Sequence, residues 1–203
     1  MPTPVGHSII GLGVALACGP DRRLRDLLAD RGTLVLALVL ANLADTDLLV
    51  GLLAYGSPAR YHGYFMHSVF FAVAVAALVT LLPWPAVPAW RRFVFALALL
   101  LSHPVADMLQ SPWGPGLFRG LGVRVFAPLS EERWSFPFSL LLGVEFQTWW
   151  QVVSVRSTVV VLLEILCLLP LLLLLDAIRG PRAHAVAAGT AVYAGADTKP
   201  SSR

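Results

Sequence analysis

Residues 32–54 read GTLVLALVLANLADTDLLVGLLA. A helix of about 20 apolar residues crosses the ~30 Å hydrocarbon core of a bilayer, so this stretch predicts a membrane span. Asn42, Asp45 and Asp47 interrupt it. Ionisable groups inside lipid are costly and rare, and by default they mark function. No Lys or Arg lies in the interior of this or any other predicted span to neutralise the two carboxylates. The stretch therefore predicts both a helix made for lipid and a polar site inside it.

Working outward, four more segments read as spans. They are 4–20 with His7, 64–83 with His67 near its start, 91–110 with His103 and Asp107 near its end, and 157–178 with Glu164 inside. Pro170 in the last is expected to kink it unless a neighbour satisfies the freed carbonyl. The whole chain agrees with this pattern: 203 residues, 57% apolar and 13% charged, with a mean hydropathy of +0.74. Soluble domains average about 45–50% apolar and about 25% charged. The expected fold class is all-α, an integral membrane bundle of about five spans. Between spans four and five, residues 111–156 are rich in Gly, Pro and Trp. Within them, 136–150 is apolar but short, and reads as a re-entrant or interfacial segment. Trp134, Trp149 and Trp150 suit the headgroup level. Residues 1–178 form one membrane-embedded domain, and 179–203 read as a disordered cytoplasmic tail.

The net charge of +3 does not point to nucleic acid, because the basic residues cluster between apolar blocks. Topology explains them better. With the N-terminus outside, ten Lys and Arg fall on the cytoplasmic side and five outside, which favours N-out and C-in in the cell membrane. Residues 8–18 resemble a signal-peptide core, but Met1 to His7 lacks the basic residues such a signal carries, so a span is expected. Cys18 and Cys167 are isolated and read as buried structural thiols, with neither a disulfide framework nor a CxxC zinc site.

That topology brings the polar residues together at one depth near the outer face: His7, Asp45, Asp47, His62, His67, His103 and Asp107. Imidazole suits zinc and carboxylate suits harder ions, so the mixture points to a divalent metal, zinc first and manganese next. Seven candidates exceed one ion's needs. Either two ions share them or some orient the others. His103 and Asp107 are four apart and share a helix face, although Pro104 predicts a helix restart between them. Asp45 and Asp47 diverge by about 200° on a helix, so either the helix breaks there or only one of them binds metal. His62 is expected in a loop beside Gly63, and His67 on the helix. Asp47 and Asp107 are the candidate catalytic carboxylates, one of them orienting a water or taking its proton.

The order of these motifs is Thr3-Pro4-Val5-Gly6-His7, Leu43-Ala44-Asp45-Thr46-Asp47, His62-Gly63-Tyr64-Phe65-Met66-His67-Ser68, Ser102-His103-Pro104-Val105-Ala106-Asp107 and Gly122 to Ser130. It resembles the membrane-bound, metal-dependent hydrolases of the YdjM-like type, described as LexA-regulated, over about residues 1–175. The chain departs from that pattern in three places. Leu43-Ala44 replaces the usual proline before Asp45, Gly63 directly follows His62 where the family carries an Arg, and Pro104 enters the His-x3-Asp helix. Arg60 lies near enough in sequence to replace the missing Arg. The spacing is also similar to zinc-dependent phospholipase C enzymes, whose additional His-x3-Glu has only Glu145 as a counterpart here.

The resemblance implies a hydrolase. A lipid or lipid-linked phosphoester fits the depth of the site. The rival expectation is an intramembrane ion or proton transporter. A conductor should carry acids through the whole depth, whereas the inner halves of spans three and four carry none. A third reading, polar residues serving only to glue helices together, needs fewer ionisable groups than these.

Overall fold

The computed structural model describes residues 1–18, 23–82, 87–117 and 119–194. Eight α-helices account for most of them. The first, α1, spans Pro4–Cys18, with proline at its first position, where no amide donor is needed. The short α2 (Leu24–Ala29) follows. Asp30 then caps α3 (Arg31–Asn42) by accepting from the Thr33 amide at 3.2 Å and the Thr33 hydroxyl at 2.8 Å. A 3₁₀ turn over Leu43–Asp45 separates α3 from α4 (Thr46–Tyr55). Gly56 ends α4 in the left-handed conformation, φ +69°, which only glycine adopts without strain.

Two further 3₁₀ turns, Pro58–Arg60 and Phe65–His67, lead to α5 (Val69–Val79). Ser68 caps α5 by accepting from the Phe71 amide. Next come α6 (Ala89–Met108), β1 (Gln110–Ser111), β2 (Leu141–Leu142), α7 (Trp149–Val152) and α8 (Val155–Ala194). The two short strands pair in parallel.

Helix α1 lies at the centre, packed against α3, α6 and α8, while α5 packs on α6. The core is built from Leu16, Ala37, Ala76, Ala96, Leu99 and their neighbours. Small residues let the helices close up, as helix interfaces in lipid require. A Cβ added at Gly11 of α1 would lie 2.5 Å from the Ala41 Cβ of α3. The outside is apolar: Leu53, Leu81, Leu166 and Leu171 are among many exposed large side chains. A continuous apolar exterior suits lipid rather than water.

Two helical stretches are long and apolar enough to cross a membrane, Arg31–Tyr55 and Val155–Arg179. The all-α expectation holds, and of the expected spans these two meet the length and composition of a full crossing. At ~1.5 Å per residue, α1 with its 15 residues and α5 with 11 are short for a full crossing.

Several local expectations need correction. Helix α6 runs through Pro104 without restarting, and α8 runs through Pro170. Each proline costs one hydrogen bond, and neighbouring helices keep the segment helical. Helix α8 extends beyond the expected span to Ala194. The alanine-rich sequence after Arg182 favours the helical state, and 195–203 lie outside the described residues. Cys18 and Cys167 are exposed, not buried. A thiol is small and weakly polar, so it sits as readily on an apolar exterior as in a core. Segment 136–150, expected to be re-entrant or interfacial, forms β2, the start of α7 and irregular chain.

Candidate metal centre

The beginnings of α1 and α5, the end of α6 and the break between α3 and α4 meet at one end of the bundle. Each contributes ionisable side chains. His7 comes from the first turn of α1. Asp45 closes the 3₁₀ turn, and Asp47 sits in the first turn of α4. The break resolves the angular problem posed by the two aspartates, because a change of helix type between residues 43 and 46 lets both face the same site. His62 stands in the loop, as its glycine neighbour predicts. His67 is the last residue of a 3₁₀ turn, two positions before α5, and not on the helix as expected. Ser68 takes the capping position and leaves His67 free to turn inward. His103 and Asp107 share a face of α6.

The residues fall into two groups whose ligand atoms lie within 4.8 Å of one another: Asp45, Asp47, His62 and His67, and then His7, His103 and Asp107. Close approaches join the groups. His67 Nε2 is 3.1 Å from Asp107 Oδ2, and His103 Nε2 is 3.2 Å from Asp45 Oδ1 and 3.4 Å from Asp107 Oδ2. His7 Nε2 is 3.7 Å from Asp107 Oδ1, and its ring stacks on that of His103 with centroids 3.6 Å apart. All seven predicted residues are therefore brought to one place. His7, Asp47, His67, His103 and Asp107 are each at most 2% exposed.

The hydrogen bonds sort these residues by role. His103 Nδ1 lies 2.7 Å from the Ala41 carbonyl. A carbonyl only accepts, so this ring nitrogen carries the proton and Nε2 presents its lone pair to the site. His62 Nδ1 lies 2.9 Å from Asp47 Oδ1, and the Gly63 amide donates to Asp47 Oδ2 at 3.0 Å. His67 Nδ1 also approaches Asp47 Oδ2 to 3.0 Å, an ion-pair contact without hydrogen-bond alignment. Asp47 thus sits behind two imidazoles and turns their Nε2 atoms inward, the carboxylate–histidine arrangement that orients metal ligands. Gly63 makes the clamp possible. Its φ of +74° is in the left-handed region that glycine favours.

The remaining atoms have no hydrogen-bond partner. Both nitrogens of His7, both oxygens of Asp45, both nitrogens of His67, Nε2 of His103 and both oxygens of Asp107 are buried and unpartnered. Several lie close to one another, as in the pairs above, but without the alignment a hydrogen bond requires. Leaving one buried polar atom unsatisfied costs about 1–3 kcal/mol, more if it is charged, so a cluster of them needs a partner. Nitrogen and carboxylate donors converging in a buried cluster could hold a metal ion.

Other candidates fall outside. Glu145 pairs with Arg156 at 3.6 Å on the surface and does not join the cluster. Arg60 lies over the Tyr55 ring, 4.9 Å from its centroid. Arg133 comes nearer the position of the missing arginine: its guanidinium is 3.6 Å from where a Gly63 Cβ would be. Its distance along the chain hid this from the sequence.

A family model described as YdjM inner membrane protein matches residues 1–196. Neither curated proteins nor solved structures yield a match.

Proposed function

The chain belongs to the YdjM inner membrane protein family, and from that premise we propose that it is a membrane-bound, metal-dependent hydrolase. The observation that carries this reading is the buried set of unpartnered nitrogens and carboxylate oxygens from four separate parts of the chain. His7, His67, His103, Asp45 and Asp107 would hold the ion or ions, and Asp47 would position His62 and His67. A bound divalent ion supplies Lewis acidity and makes water nucleophilic at neutral pH.

The chain's own residues do the rest. Asp107 offers two free oxygens facing His67 and His103, enough to ligate with one and orient a water with the other. Asp45, whose two buried oxygens lie beside His103, would complete the ligand set from the opposite side. Burial of these side chains strengthens each of these interactions. The substrate class that fits is a lipid or lipid-linked phosphoester presented at the outer leaflet. This reading takes α1, α3–α4, α5, α6 and α8 as five crossings, with the N-terminus outside.

Elemental analysis of the purified protein in detergent tests the proposal, with His67→Ala and Asp107→Ala alongside. The expected result is near-stoichiometric zinc or manganese in the wild type, loss of most of it in both variants, and metal-dependent hydrolysis of a fluorogenic phosphoester in mixed micelles. Wild type without metal, or variants that keep it all, would overturn the metal reading. A metal-loaded protein inert toward phosphoesters and carboxylic esters would overturn the hydrolase reading alone.

A further inference from the structure

Glu164 stands apart from the metal cluster, with the Met1 α-amino group as a cationic charge acting on it, and it is 2% exposed inside the long apolar stretch Val155–Arg179. A carboxylate so placed is expensive and persists where it does something. Its oxygens face the start of α1. Oε1 accepts from the Thr3 amide at 2.8 Å, and Oε2 accepts from the Thr3 hydroxyl in a short contact.

The chain of contacts then runs on toward the metal centre. Thr3 Oγ1 accepts from the Gly6 amide at 3.3 Å, and the His7 amide donates to the Thr3 carbonyl at 3.0 Å. Gly6 is as small as it is for the same reason. A Cβ there would lie 2.7 Å from the Glu164 carboxyl carbon and 2.8 Å from each of its oxygens. Glu164 is thus pressed against the backbone one residue before His7.

We infer that Glu164 is a positioning residue, a latch through which α8 holds the first turn of α1 so that the His7 imidazole reaches the metal centre. The inference rests on the metal reading for its consequence but not for the latch itself. Among the described residues, α8 supplies no ligand to the centre and α1 supplies only His7. Without the latch, nothing else in the Thr3–Gly6 turn ties it to α8 by a side-chain hydrogen bond among the described residues.

The test uses the full-length protein in nanodiscs, as wild type, Glu164→Leu, Thr3→Ser, His7→Ala and the Glu164→Leu/His7→Ala double variant. Leucine matches the volume and suits a lipid-embedded helix, so the fold is retained. Two measurements are made: amide hydrogen exchange of residues 1–10 in metal-free protein, and Co²⁺ affinity followed by its visible absorption. In Glu164→Leu, exchange over 1–10 is expected to rise tenfold or more and Co²⁺ affinity to fall about tenfold, the lower end of the range for lost ligand orientation. Thr3→Ser keeps the hydroxyl and should behave as wild type in both. In the His7→Ala background Glu164→Leu should cost no further affinity, because its effect passes through His7. Unchanged exchange in Glu164→Leu overturns the latch. Raised exchange with unchanged Co²⁺ affinity, or an equal loss in the His7→Ala background, overturns the positioning of His7. Wild type that takes up no Co²⁺ defeats the metal reading and with it the role of His7, while the exchange measurement still decides the latch.

Discussion

The seven site residues differ in what they can offer a cation, and Asp47 differs most. Both its oxygens are engaged, by His62, His67 and the Gly63 amide, and it is fully buried. Asp107 has both oxygens free. The two carboxylates should therefore respond differently to the same change. Asp47→Asn keeps the shape and one acceptor, but its amide nitrogen meets donors it cannot satisfy. Metal affinity is expected to fall about 10–100-fold, as for other orienting partners, with metal still bound at millimolar supply. Asp107→Asn removes a ligand and should leave no binding that titration can detect. Isothermal titration with Zn²⁺ checks both, and equal losses would mean that Asp47 is itself a ligand. The identity of the seven was legible in the sequence, because ionisable groups stand out in apolar segments. Their division into ligands and orienting partners was not. It depends on residues 15 or more positions apart meeting face to face, and on a left-handed Gly63 turning its amide toward Asp47.

Among the elements, the helices were legible and their irregularities were not. Apolar runs fix α1, α5, α6 and the start of α8 to within a few residues, while α8 runs past the expected end at 178 to Ala194. The 3₁₀ turn at Leu43–Asp45 carries no breaker residue such as Gly or Pro, whereas α6 carries Pro104 and stays whole. Tertiary packing decides both. The neighbours of α6 hold it through the lost hydrogen bond, and the pull of His103, His62 and His67 on Asp45 and Asp47 compensates the turn. Helix spacing then matters for the site. Gly11 in α1 faces Ala41 in α3, and the Ala41 carbonyl fixes the tautomer of His103. Gly11→Ala places a Cβ 2.5 Å from the Ala41 Cβ, too close without movement. Overpacking of this kind costs about 1–3 kcal/mol. The melting temperature in detergent should fall, and Co²⁺ affinity should weaken with it because Ala41 carries the His103 partner. Gly13→Ala, on the same helix with nothing nearer than 3.9 Å, should melt like wild type.

On the scale of the whole molecule the question is how the bundle lies in the bilayer. The site gathers the start of α1, the start of α5 and the end of α6. The opposite end carries Arg23, Arg25, Arg31, Arg91 and Arg92 at or near helix termini, and Arg179 closes the apolar stretch of α8. Cytoplasmic segments hold the excess of basic residues, so that end should face the cytoplasm and the site the exterior. The weak link is α5, whose 11 residues span only about 17 Å at 1.5 Å per residue. It crosses only if the turn before it and the chain after it share the bilayer depth, or if the membrane thins locally, which costs fractions of a kcal/mol per Å. Fusions at three points decide the arrangement. Alkaline phosphatase joined after Arg60 should be active, joined after Pro88 inactive, and a fluorescent protein joined after Ala194 should fold and fluoresce inside the cell. Active phosphatase at both of the first two points would leave α5 outside the count and reduce the crossings to an even number, sending the end of α8 outward. Activity reversed at all three would turn the metal centre toward the cytoplasm, and the substrate would then have to be sought in the inner leaflet.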